Sequence, residues 1–281
     1  MHSEVVRAGE IADPRERATV ASRLVTEFND AQKEAGRIRR EAVEELLAGG
    51  MLQKEVAELL GTTRARIGQI VKAGPPAERA FLGSGPLTIA LGGKQEANKR
   101  GSGRVLAQED LAAYNALHKM AAGMELSAES EVIEPPGFLD LNRDNLIVVC
   151  GPRLSPIINQ LLESDPNLKF REDEKGWHLV DLASGKTYRS PMDSGEPRDV
   201  AYLGRLPRLD GNGHFLYIAG IHAVGAPGVV HYLEHNMAQL YREVRKGRFS
   251  TLIECTFAPK TLAITASEQV SPLYRGDRGQ A

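Results

Sequence analysis

Between Glu58 and Glu78 the chain carries three basic residues, Arg64, Arg66 and Lys72, and no acidic one. Arginine can bond guanine in bidentate fashion and glutamine, here Gln69, can do the same for adenine, whereas lysine neutralises phosphate. Those types at that spacing suit the reading of duplex DNA. A second set follows three apolar runs: Gly92, Gly93 and Lys94; Gly151, Arg153 and Ser155; and Gly220, His222, Gly225 and Gly228. Glycines let the main chain approach a ligand closely, and the cations and hydroxyl would bind an anion. The third set is His231, Glu234 and His235 in HYLEH, two imidazoles four residues apart with a carboxylate between them. On one helix face they could hold zinc.

The first set needs two short helices to position it. In QKEVAELLGTTRARIGQIVK, residues 53–72, Val56, Leu59, Leu60, Ile67 and Ile70 can form a shared core, and Ala57 is small where the helices cross. Gly61 suits the left-handed residue after the first helix, and Thr62 or Thr63 can cap the second. This resembles the helix-turn-helix superfamily, in particular region four of bacterial sigma factors and similar response-regulator domains. The likeness covers this motif and the preceding RIRREAVEELLAGG; Thr62 departs from it, since many members carry an apolar residue there. The resemblance implies that the second helix lies in the major groove with Thr63, Arg64, Ala65, Gly68 and Gln69 at base edges. Arg66, Lys72 and Lys54 then contact phosphates.

Upstream, Pro14 suits a helix start. Val20, Leu24, Phe28, Ala31, Ala35, Ile38, Ala42 and Leu46 mark one stripe along a helix from Arg15 to Leu47. The stripe fits either a dimer seam or packing within its own domain, and Gly36 weakens the reading of one continuous helix. Ala73, Gly74, Pro75 and Pro76 end the helical texture. The expected division is therefore a helical DNA-binding domain over 1–74, a linker over 75–86, an α/β domain over 87–275 and a flexible tail over 276–281.

The second set needs strands. LTIALGGK, NLIVVC and FLYIA each precede a turn and a helical pattern, and STLIECTF adds a further strand. Continuous apolar strands alternating with helices predict a parallel, Rossmann-like sheet, with antiparallel hairpins inserted between Leu168 and Pro207. Ligands of such sheets bind at the carboxyl ends of the strands, so the ten residues named above are expected to converge on an anionic, nucleotide-like molecule. Neither LGGKQE nor GIHAVGAPG has the spacing of a Walker or dinucleotide motif, so no cofactor is specified. DNLIVVCGPRLSP, DVAYLGRLPR and FLYIAGIHAVG resemble segments of largely uncharacterised actinobacterial proteins that join a helix-turn-helix to a Rossmann-like domain; the resemblance implies a regulatory role and adds no catalytic residue.

HYLEH is similar to the HxxEH helix of inverted zincin peptidases, which implies a further glutamate some seventy residues on, and 46 residues follow His235. Zinc peptidase is accordingly a minor alternative, and no metal site is assigned. Cys150 and Cys255 read as buried small hydrophobes. Asp193, Glu196, Arg198 and Asp199 read as a solvated turn, and Trp177 as packing for a hairpin.

With 35 Lys plus Arg against 37 Asp plus Glu, the net charge of −2 excludes a histone-like coat and confines DNA binding to one face. The charged N-terminus and the lack of a long apolar run disfavour secretion and membrane spanning, and the unpaired cysteines fit a reducing cytoplasm. The sequence thus reads as a cytoplasmic bacterial transcription regulator, a homodimer on double-stranded DNA, whose α/β domain senses a small-molecule effector. The alternative is a nucleotide- or metabolite-processing enzyme with an accessory helix-turn-helix.

Overall fold

The computed structural model describes residues 2–95 and 103–276. They fall into two units, Met1–Arg79 with Ser84–Pro86, and Ala80–Gly83 with Leu87–Ala281. Residues 277–281, most of the expected flexible tail, lie outside the described residues, as does the polar stretch 96–102.

In the first unit α1 (His2–Gly9) is followed by α2 (Pro14–Ala48). The Asp13 carboxylate accepts from the Arg15 amide at 3.1 Å, Pro14 fills the first turn, and the helix then runs unbroken through Gly36 for 35 residues, or about 50 Å. Next come α3 (Gln53–Leu59) and α4 (Arg64–Ala73), joined across Gly61 at φ +59°, a left-handed conformation cheap only for glycine. Glu55 accepts from the Leu52 amide at 2.7 Å, and the Thr63 hydroxyl accepts from the Arg66 amide at 3.2 Å, so both starts are capped. Val43 of α2, Val56 and Ala57 of α3, and Ile67 and Ile70 of α4 make one buried core. The apolar stripe of α2 divides: Leu46 packs on that core, whereas Ile38 is 51% exposed beside a groove also lined by Ala35, Ala42 and Leu60.

Along the chain follow α5 (Arg79–Leu82), β1 (Leu87–Gln95), β2 (Arg104–Leu106), α6 (Gln108–Gly123), β3 (Ala128–Ile133), β4 (Leu146–Val149) and α7 (Pro156–Leu162). Then come β5 (Leu168–Asp173), β6 (Gly176–Asp181), β7 (Lys186–Tyr188), β8 (Arg198–Pro207), β9 (His214–Gly220), α8 (Gly225–Val244), β10 (Phe249–Phe257), β11 (Ile264–Gln269) and β12 (Tyr274–Arg275). The nine-stranded sheet has the order β11-β10-β8-β9-β4-β1-β2, with β12 added on β10 and β3 on β1. Among the described residues, only β3, β1, β4 and β9 run parallel. One face carries α6 and α8. Against the other, α7 and the separate sheet β5-β6-β7 bury Ile158, Leu162, Phe170 and Leu179 on Val148, Tyr202 and Tyr217.

This corrects the expected fold class. In place of an all-α helix-turn-helix domain followed by a Rossmann-like sheet with inserted hairpins, the described residues form a mixed α/β protein with eight helices, a nine-stranded mixed sheet and a three-stranded one. The unit holding α1 to α4 also takes in Ser84–Pro86, so the helices do not close off a stretch of sequence as an all-α domain. Apolar runs announce burial on both faces and say nothing of direction; β8, buried over nearly all its length, sits antiparallel between β9 and β10. Leu168–Tyr188 covers a face of the large sheet rather than entering it.

Gly228 of α8 packs against Cys255 of the sheet. A Cβ built there would stand 2.4 Å from both Cβ and Sγ of Cys255 on β10. Gly228→Ala is therefore expected to destabilise the fold by about 1–3 kcal/mol, the usual cost of overpacking. Urea denaturation of Gly228→Ala, Cys255→Gly and the double variant checks this: the pair should cost less than the two single changes added.

Candidate functional site

Two arrangements carry the candidate chemistry, one in each unit. In the first, Ile67 and Ile70 fix the inner face of α4, leaving Thr63, Arg64, Ala65, Arg66, Gln69 and Lys72 exposed and Gly68 half-buried. Space around Gly68 is open, with nothing within 4 Å of a built Cβ. Arg64 Nε donates to Gln53 Oε1 at 3.4 Å and Arg66 Nη1 to Gln69 Oε1 at 3.0 Å, both on the surface, where they can be exchanged for contacts to a ligand. Lys54 stands on α3 in an exposed pair with Glu58 at 3.8 Å. Thr63 is both the cap of α4 and one of the expected base readers, so its two roles share one hydroxyl.

In the second unit β1, β4 and β9 lie side by side and parallel, so their carboxyl ends open at one edge. Five of the ten expected residues line one cleft there: Lys94, Gly151, Arg153, Gly220 and His222. The other five hold the frame. Gly92 makes room for Cys150 and Leu154, each 2.7 Å from a built Cβ, and Gly93 pairs with Leu106 of β2. The Ser155 hydroxyl is buried, donating to the Gly137 carbonyl at 2.7 Å and capping α7. Gly225 accommodates the Asp199 carboxylate, 2.7 Å from a built Cβ, and Gly228 the close approach to Cys255.

His222 is fixed from two sides. Its Nε2 is 2.7 Å from Asp193 Oδ1, and its amide donates to Asp199 Oδ2 at 3.0 Å. Asp193 is exposed, as a solvated turn would have it, but Asp199 is fully buried, its Oδ1 has no hydrogen-bond partner among the described residues, and burial pushes its carboxyl up to about 6. Asp110, third residue of α6, faces the same cleft; burial raises it to about 6 against the opposing pull of Lys94 and Arg153. No hydrogen bond joins either of those two cations to a described residue. Burial also pushes the Cys150 thiol up to about 12, so it lines the cleft as a neutral wall rather than as a nucleophile.

Trp177 and Phe170, brought by the three-stranded sheet and set edge to face at 6.4 Å, close the aromatic side. Sequence reasoning missed Trp177, Phe170 and Asp110. A tryptophan beside a glycine turn reads as hairpin packing until the sheet that carries it is seen lying over the strand ends. The free volume is about 30 Å³, room for a water-sized group, such as one oxygen of a carboxylate or phosphate.

No family model, no curated protein and no solved structure matches the chain. What it does is therefore read from its own side chains. In HYLEH the His231 and His235 rings lie 4.8 Å apart, with His231 Nδ1 bonded to Ser267 Oγ at 2.7 Å and His235 Nδ1 to the His231 carbonyl at 2.9 Å. Among the described residues no three His, Cys, Asp or Glu side chains group as metal ligands, and no helix is long and apolar enough to cross a membrane. Cys255 is buried, with its thiol likewise raised to about 12.

Proposed function

We propose that the chain is a cytoplasmic DNA-binding transcriptional regulator that reads duplex DNA with the exposed face of α4 and responds to an anionic effector bound at the cleft of the mixed sheet. The observation that carries this reading is the surface of α4, where Arg64, Arg66, Gln69 and Lys72 stand exposed with no acidic residue among them while Ile67 and Ile70 fasten the helix from behind. Arg64 and Gln69 then read bases beside Thr63, Ala65 and Gly68, and Arg66, Lys72 and Lys54 hold phosphates. The proposed assembly is a homodimer, whose two α4 helices would read half-sites about 34 Å apart on a palindrome.

Lys94, Arg153 and His222 support an oxyanion as effector, entering the cleft by one of its oxygens. A second reading, an enzyme acting on such a metabolite, draws on the carboxylate-held His222 and the raised Asp110, an acid and base facing one space. Turnover separates the two, since a sensor releases its effector unchanged.

Fluorescence anisotropy with a duplex of arbitrary sequence across a salt series tests the DNA-binding reading. The expected result is binding that falls steeply with salt, and a Lys72→Ala variant whose log–log slope is shallower by about 0.9, one phosphate contact. No binding at low salt, or an unchanged slope, would count against it.

A further inference from the structure

At the other end of β9 from the cleft, where His214 begins the strand, a groove of about 670 Å³ opens between the ends of β8 and β10. Its volume lies within the range of about 300–1,000 Å³ typical of small-molecule sites. Arg205, on β8, lines it and is 7% exposed. The guanidinium lies over the Phe81 and Phe249 rings, 4.6 and 5.3 Å from their centroids. Among the described residues it donates only to main-chain carbonyls, those of Arg245 at 2.6 Å, Gly247 at 3.1 Å and Phe81 at 2.9 Å.

Carbonyls carry partial charge, and a buried full charge is costly without a counter-ion. Arg248, also on the groove, donates among the described residues only to the Ser164 carbonyl and hydroxyl, at 3.2 and 3.4 Å. Among the described residues neither arginine has a carboxylate within salt-bridge distance. The acid that lines the groove, Asp165, is already committed: Oδ1 accepts from the Asn167 and Leu168 amides at 2.8 and 3.3 Å, and Oδ2 from the Tyr202 hydroxyl at 2.8 Å. The charged groups facing His214 are again Arg248 and Arg205.

We infer that this groove is a second anion site, separate from the cleft, that takes a phosphate-bearing small molecule between Arg205, Arg248 and His214. Two guanidiniums and an imidazole around one space match the charge and the several acceptor oxygens of a phosphate dianion better than those of a carboxylate, and the planar fork of arginine fits phosphate geometry. Ser250 and Ser164 also line the groove.

The experiment uses the full chain and inorganic phosphate as probe. Proton NMR of the His214 ring is followed against pH with and without phosphate at constant ionic strength. Burial and the two arginines hold the His214 imidazole below its ordinary value. Bound phosphate should raise it, Arg248→Ala should weaken phosphate by at least about tenfold, and Arg248→Lys should restore part of the loss. Lys94→Ala in the cleft should leave the effect unchanged. An unmoved His214 titration at saturating phosphate, or an effect insensitive to Arg248→Ala while the variant's circular dichroism stays native, would overturn the assignment.

Discussion

Replacing Arg64 and Arg66 together by alanine is expected to abolish sequence-specific DNA binding, with a loss of about a hundredfold or more at a cognate site, while leaving the fold in place. The two losses have different origins. Arg64 at the start of α4 is proposed to bond a guanine edge, and removing such a contact costs about 1–3 kcal/mol and relaxes specificity at that base. Arg66 is proposed to neutralise a phosphate, so its removal weakens all sequences alike. Neither side chain supports the core: both are exposed, and the bonds they make to Gln53 and Gln69 at 3.4 and 3.0 Å are surface contacts of small worth. Thermal unfolding should move little. Anisotropy at fixed salt with the double variant and with each single one checks the prediction; affinities within twofold of the parent chain would remove α4 from the groove.

The second large effect concerns Asp110. Burial lifts its carboxyl from 3.8 to about 6, a shift of about two units, so keeping it ionised in the fold costs about 3 kcal/mol. For an acid raised in the folded state, that cost is fully present above about pH 6 and is relieved as pH falls through 6 toward 3.8. Asp199, raised likewise, acts in the same direction. Stability toward urea should therefore rise between pH 7.5 and pH 5. Asp110→Asn should be more stable than the parent chain at pH 7.5 and flatter across that window.

The cleft should follow the same proton. An ionised Asp110 opposes an anion held by Lys94 and Arg153, and a neutral one does not. Sulfate, whose own charge is constant here, should bind more tightly as pH falls through 6, and Asp110→Asn should bind it at pH 7.5 about tenfold more tightly than the parent. Isothermal titration at both pH values reads this out; identical pH profiles for variant and parent would exclude Asp110 from the site.

Much of the local structure was legible because single residues impose it. Pro14 starts α2, Gly61 takes the left-handed turn before α4, Thr63 caps α4, and NLIVV and FLYIA are the central strands β4 and β9. Strand direction was not legible, because DVAYLGRLP is equally apolar whether its neighbours run with it or against it, and only pairing places it between β9 and β10. The cleft was half legible. Lys94, Arg153 and His222 follow apolar runs, a local signal, whereas Asp110 reaches it from α6, Trp177 from a separate sheet, and Asp193 and Asp199 hold His222 from segments with no shared pattern. Such groups meet only through tertiary packing. Gly225 and Gly228 carry the opposite lesson: glycines at a strand end that suggested a ligand are there because Asp199 and Cys255 occupy the space a side chain would need.

The most direct test of the central claim is selection of bound fragments from genomic DNA by the purified full-length chain, run in parallel with the Arg64→Ala, Arg66→Ala double variant. The expected result is enrichment of one palindromic motif with half-sites about one helical turn apart, absent when the variant is used. Equal recovery of all fragments by both proteins, or a motif that survives the double substitution, would contradict DNA reading by α4.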